Sequence, residues 1–439
     1  MLAYCFELAL RSLRRNVVLT ALMVAAVGVG IGASMTMLTT LIAMSGNPIP
    51  DKSSRLFTLQ LDWTGYGSQH HDLRSIPWEL PYRDAMALMK AQLGVRQVAM
   101  YPLELSVKPP HADPFQAQGR ATYADFFPMF EVPFRSGAAW GHEQDVARDN
   151  VVVLSAGLAD RLFPGADAVG GTVNLGNRNY RVIGVIRQWT PTPRFYDVTG
   201  GAYGETEDFY LPFSLAIDRQ LETTEYGCDP TGLPAGWAER LNADCGWTQF
   251  WVELPSARQV LTFRTFLENY ASEQQRLGRF KWLPLVPMHD VMEWLAFLRV
   301  VPSEVRVDSM IAVGFLIVCL INAVGLMLAK FSGRAVELSV RRALGASRSD
   351  LFLQCVTEAM LIGVMGGLLG LALTAAGLSA LRALRGISST ESALGRLISL
   401  NPEMMVITLA VAIVTTICCG IYPALRASRV QPGWQLKAQ

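Results

Sequence analysis

The chain has little of what enzyme active sites are built from. Five histidines and seven cysteines are spread over 439 residues, and no C-x-x-C, H-E-x-x-H, G-x-S-x-G or G-x-x-x-x-G-K-[ST] pattern occurs. These absences exclude the common zinc, nucleophilic-serine and phosphate-loop arrangements and favour a protein that is not an enzyme. Charge is scarce as well: 17% of residues are charged, the net charge is +1, and no block of one sign is present. A nucleic-acid partner calls for a basic face that this balance does not supply. His70, His71 and Asp72 bring metal-ligating side chains together, but adjacent histidines in a loop with Gly and Ser read as solvated, so no metal is expected. Glu205, Glu207 and Asp208 follow Gly200, Gly201 and Gly204 and read as a solvated acidic loop.

Long apolar runs are what the chain does have. Hydrophobic residues make up 51% of the sequence and concentrate at 17–44, 309–329, 351–381 and 403–425. Each run is long enough to cross a bilayer, for which about 20 residues suffice. The first has 28 residues without a charge, against about 7 to 15 in a signal peptide, so an uncleaved anchor is expected. It would extend roughly 42 Å as a helix, which implies either tilt or continuation as a stalk. Residues 288–308 are the expected partner of that stalk, with Pro302 breaking or kinking the helix.

Basic residues set the expected orientation. Arg11, Arg14 and Arg15 precede the first run, Lys330, Arg334, Arg341, Arg342 and Arg348 lie between the second and third, and Arg426, Arg429 and Lys437 follow the fourth. All three places should be cytoplasmic, with both termini. The third-to-fourth connection, with Arg382, Arg385 and Arg396 against Glu391, weakens the bias without reversing it. Within the spans, Gly28 with Gly32, Gly363 with Gly367 and Gly366 with Gly370 have the four-residue spacing that lets helices approach closely. Asn322 and Glu358 are the main polar residues there, and Glu358 is expected simply to reach the interface.

The segment 45–308 is large enough for a domain with its own core and reads as mixed α and β. Residues 55–63, 96–107 and 248–254 are rich in strand formers. A strand ends at Leu154 before a helix capped by Ser155, a hairpin turns over Gly176 to Asn179, and Ser256 caps a further helix. Cys228 and Cys245 flank a loop containing Pro230, Gly232, Pro234 and Gly236; in an exported domain they are expected to pair. Closing such a loop contributes about 3 kcal/mol. The other five cysteines lie in or beside the spans and read as small apolar residues.

Between the second and third runs, Arg334 to Leu344 reads as a short interfacial helix in which Val336, Leu338, Val340, Ala343 and Leu344 form no single clean stripe. Gly345 would stop it, and Ser347 with Asp350 would cap the next helix.

This stretch, "VELSVRRALGASRSDLFLQ", resembles the E-x-x-x-R-R-A-L-G-A signature of the ABC permease family that includes MacB, FtsX, LolC and LolE. "YPALRASRVQPGWQLK" (422–437) resembles the tail that ends these permeases, and "ALRSLRRN" (9–16) their lead-in helix. "YADFFPMFEVPFRSGAAW" and "VVVLSAGLADRLFPGADAVGGTVNLGNRNYRVIGVI" resemble the periplasmic core domain of MacB-like proteins, whereas residues around 190–250 find no counterpart. The resemblance implies an α-helical membrane protein with four transmembrane helices plus a large α+β periplasmic domain inserted between helices 1 and 2. Its expected parts are a cytoplasmic lead-in helix (1–16), helix 1 and stalk (17–44), the periplasmic core domain (45–308) and helix 2 (309–331). A cytoplasmic coupling helix (332–350), helix 3 (351–381), a periplasmic loop (382–402), helix 4 (403–425) and a cytoplasmic tail (426–439) follow.

By the same resemblance, Glu337, Arg341, Arg342, Ala343, Leu344, Gly345 and Ala346 form the element that docks on a cytoplasmic ABC ATPase. With 16 residues before the first run, that ATPase is expected to be a separate polypeptide which binds ATP and Mg, this chain holding no cofactor. The resemblance places this chain in the bacterial inner membrane and implies a second permease copy or a related permease, along with a periplasmic adaptor and an outer-membrane channel. The expected function is mechanotransmission driving export of a peptide, antibiotic or lipid-linked cargo. FtsX-like regulation of a cell-wall hydrolase and lipoprotein release of the LolC/LolE kind are the alternatives.

Overall fold

The computed structural model describes residues 2–109, 113–228, 232–280, 282–384 and 402–428. The chain divides into two compact units, residues 1–46 with 301–439 and residues 47–300. The expectations for Arg385, Glu391, Arg396, Arg429, Lys437, Pro230 and the tail beyond residue 428 lie outside the described residues.

The first unit is helical. An amphipathic leading helix, Leu2–Arg15, precedes the first span, Val17–Ser45. The second span is Ser303–Ser332, the third Arg348–Leu384 and the fourth Pro402–Ser428. All four are long and apolar enough to cross a membrane. Pro302 breaks the helix between residues 288 and 308, as the sequence reading expected, and leaves the second span itself uninterrupted. It stands just before the first turn, where a fixed φ near −56° suits a helix start and no backbone N–H is required. Upstream, residues 288–308 do not run as one helix: a short strand, the helix Val291–Phe297 and a break precede Ser303.

The spans pack through the glycines singled out from the sequence. A methyl group placed at Gly28 or Gly32 would stand 2.8 or 2.7 Å from Leu369 or Leu373 of the third span. Gly366 and Gly370 return the fit, lying against Val27 and Ile31 of the first. Gly363 and Gly367 face the fourth span instead, at Thr416 and Ala412. Small residues thus let the third span approach two neighbours at once, and dispersion contacts supply the adhesion that lipid cannot.

The second unit is built on a mixed sheet. Its strands are β1 (Leu56–Leu59), β2 (Leu80–Pro81), β3 (Arg96–Val107), β4 (Phe115–Thr122), β5 (Phe134–Gly137) and β6 (Val151–Leu154). They continue with β7 (Thr172–Leu175), β8 (Arg178–Ile186), β9 (Phe209–Pro212), β10 (Gly227–Cys228), β11 (Cys245–Glu253) and β12 (Met288–Asp290). The main order is β12-β1-β11-β3-β4-β9-β6-β8-β5, with β4–β9 and β6–β8 parallel.

Both faces of the sheet carry a core, because side chains alternate along each strand. Ala99, Tyr101, Val152, Leu154, Phe250 and Val252 enter one. Val98, Met100, Val151, Val153 and Trp251 enter the other, which is rich in aromatic rings such as Phe126, Phe130 and Tyr196. β11 is buried along its whole length, as a central strand covered on both sides must be.

Local signals read from the sequence have physical counterparts. Ser155 Oγ accepts the N–H of Leu158 at 3.1 Å, and Ser256 exchanges bonds with Gln259 as a capping box. The hairpin turn is tighter than expected, confined to Gly176 and Asn177, both at positive φ, and pairing resumes at Arg178 opposite Leu175. Cys228 and Cys245 sit opposite each other on β10 and β11 and are joined by a disulfide.

Candidate functional site

The candidate site is built where the second span hands over to the third. The second span ends at Ser332, and after Gly333 and Arg334 a helix of nine residues follows, Ala335–Ala343. Glu337 lies in its first turn and Arg341 and Arg342 in its last, the charge order that complements the helix dipole. Gly345 adopts φ 104°, which ends the helix at little cost only because the residue lacks a Cβ. Ser347 and Asp350 then cap the third span reciprocally, at 3.0 and 3.1 Å.

The two faces of this short helix differ. Glu337 accepts hydrogen bonds from Arg334 at 3.1 Å, from Arg341 at 3.1 Å and from Arg15 of the leading helix at 3.3 Å. Chiefly the bond from Arg334 holds its carboxyl below the usual range. Arg341 also donates to Gln354 of the third span at 3.1 Å. Val336, Val340 and Leu344 are 66%, 50% and 83% exposed at successive four-residue steps. They form an apolar stripe that the sequence reading did not resolve. Of the residues assigned there to docking, Glu337 and Arg341 are engaged with the chain's own helices, while Ala343, Leu344 and Gly345 are exposed.

Behind the short helix lies a buried ionic cluster. Glu358 of the third span is 1% exposed, so it does not simply reach the interface as its position in sequence suggested. Its carboxylate pairs with the ammonium of Lys330, itself 2% exposed, accepts from Ser12 Oγ at 2.6 Å, and meets Arg334 at 3.4 Å. Arg334 also donates to Ser12. Sequence reasoning missed this cluster: a Lys near the end of one span and a Glu near the start of the next were its trace, but their pairing depends on how the helices pack.

Residues 20–262 match the family described as the MacB-like periplasmic core domain, and residues 309–432 match the FtsX-like permease C-terminal family. The chain belongs to the MacB/FtsX-like ABC permease family. The macrolide export ATP-binding/permease protein MacB of Escherichia coli K12 is 24% identical over 356 residues, 80% of this chain and 48% of the relative. Its counterpart in Salmonella paratyphi A is 27% identical over 253 residues, 57% of this chain and 34% of the relative. The chain thus spans about half the length of the curated relatives it matches. The periplasmic region of MacB from Actinobacillus actinomycetemcomitans, a solved structure, aligns with 55% of this chain and 92% of its own at 14% identity, with a TM-score of 0.36.

The inserted domain of this permease holds a second buried charge cluster. Arg120 on β4 is fully buried and donates to Glu207 at 2.6 Å and to Gln249 of β11 at 3.1 Å, and it pairs with Asp197. Tyr196 and Tyr210 donate to Glu207 at 2.8 and 3.2 Å. Glu207 is therefore not part of a solvated loop, contrary to the sequence reading: a buried arginine on the sheet draws the acidic segment inward. Burial alone would raise the carboxyls of Asp197 and Glu207, but Arg120 and Arg194 more than offset it and hold both below their usual range. His70 and His71 are exposed, and among the described residues no group of three His, Cys, Asp or Glu is placed to hold a metal.

Proposed function

We propose that this chain is the permease subunit of a MacB-like ABC transporter and passes ATP-driven motion from a cytoplasmic ATPase to its inserted domain. The observation that carries this reading is the short helix Ala335–Ala343, with polar side chains tied to the neighbouring helices and an exposed apolar stripe of Val336, Val340 and Leu344. Such a stripe suits burial in a groove of the ATPase, where three aliphatic side chains gain about 1.5 to 3 kcal/mol each. Arg342, Gly345 and Ala346 complete the contact. ATP and Mg are held by the ATPase, and this chain contributes no catalytic group.

The bias of basic residues puts both termini and the short helix in the cytoplasm and the inserted domain in the periplasm. Two permease subunits, identical or related, would each engage one ATPase. ATP binding would draw the ATPases together, press the short helices, and move the periplasmic domains so that a peptide, antibiotic or lipid-linked cargo is handed to an adaptor and outer-membrane channel. Co-purification with the candidate ATPase tests the reading. The wild-type chain should carry the ATPase through two affinity steps, and Val336→Asp/Val340→Asp should lose it. Equal recovery with both chains would contradict the assignment.

A further inference from the structure

The nine-residue helix Ala335–Ala343 is bounded by Gly333 on one side and by Gly345, at φ 104°, on the other. A short element between two glycines swivels readily unless side chains tie it down, because glycine restrains the backbone least. Besides the bonds from Arg341 to Gln354 and from Arg15 to Glu337, the ties here converge on one guanidinium. Arg334 grips Glu337 of the short helix at 3.1 Å, reaches Glu358 of the third span at 3.4 Å, and donates to Ser12 of the leading helix. Lys330, from the last turn of the second span, is buried against the same Glu358. Four segments of chain thus meet at one buried carboxylate. A charge with so little water around it has no substitute partner, so the cluster holds in one geometry or gives way as a unit.

We propose that Lys330, Arg334 and Glu358 form an ionic joint that makes the short helix and its two flanking spans move as one body. Displacement of the short helix is then delivered to the second and third spans instead of being absorbed at Gly333 and Gly345. The role is one of positioning: Lys330 and Glu358 act on the short helix only through Arg334. It rests on the coupling function proposed above and adds to it the part that carries the motion onward.

The test uses the full chain assembled with its ATPase in nanodiscs, with amide hydrogen exchange of the inserted domain measured without nucleotide and after trapping with ATP and vanadate. The wild-type complex should show a nucleotide-dependent change. Lys330→Met/Glu358→Met removes both buried charges together and should assemble normally while losing that change. Arg334→Gln leaves the Lys330–Glu358 pair balanced, removes the bridge to the short helix together with the bond to Ser12, and should lose the change as well. An exchange response of full amplitude in either assembled variant overturns the joint. Val336→Asp/Val340→Asp, run in parallel, reports on docking: if it assembles like wild type the coupling function fails, a result separate from failure of the joint.

Discussion

At the scale of single residues, the two buried charge clusters make the sharpest demands. Replacing Glu358 by Gln strands the Lys330 ammonium in a site without solvent, and removing one partner of a buried pair costs about 3 to 5 kcal/mol. The expected result is a clear drop in the thermal unfolding midpoint of the detergent-purified chain, largely recovered by Lys330→Met/Glu358→Met. In the inserted domain the carboxyls pull in opposite directions with pH. Asp197 and Glu207 are held low by Arg120 and Arg194, so their contribution is present above their unfolded values of 3.8 and 4.5 and is lost as pH falls through the folded ones. Glu79 is pushed up to about 7, mainly by burial, so its neutral form favours folding below 4.5 and that contribution is lost as pH rises toward 7. Denaturant unfolding of the full chain, followed by tryptophan fluorescence, should therefore show lower stability at pH 7.5 than at pH 5, and Glu79→Gln should flatten that difference. All of the ten tryptophans except Trp434 lie within residues 47–300, so the signal reports this domain.

Among elements, the spanning helices test whether close approach is a requirement or an accident of composition. Leu at position 32 has no room beside Leu373, so Gly32→Leu should separate the first and third spans and reduce the yield of folded protein. Gly314→Leu, on an open face of the second span, should be tolerated, and size-exclusion profiles of the two variants decide the point. Cys228→Ser/Cys245→Ser should lower the stability of the inserted domain by about 3 kcal/mol, measured against the oxidised wild type. These elements were legible in the sequence because their signals are local. The apolar runs, the glycine spacing, the Ser155 and Ser256 caps and the Gly345 stop depend on residues a few positions apart. The buried fates of Glu358 and Glu207 were not legible, since each is decided by a cation distant in the chain, Lys330 and Arg334 in one case and Arg120 in the other. The stripe on the short helix was hidden for a similar reason: which of its faces is covered depends on the leading helix and the third span.

For the whole molecule, the chain belongs to the MacB/FtsX-like permease family and has four helices long and apolar enough to cross a membrane, and in the proposed function it transmits force. Glu337, Arg334 and Arg341 bond to one another and to the neighbouring helices, and the proposed docking therefore rests on the exposed apolar stripe. The most direct measurement places a photo-crosslinking amino acid at position 344, the most exposed point of the stripe, in the full chain co-expressed with its candidate ATPase. Illumination should yield a covalent adduct of this chain with the ATPase, and Val336→Asp/Val340→Asp should abolish it. An adduct formed with lipid or with another copy of this chain, and none with the ATPase, would contradict the account.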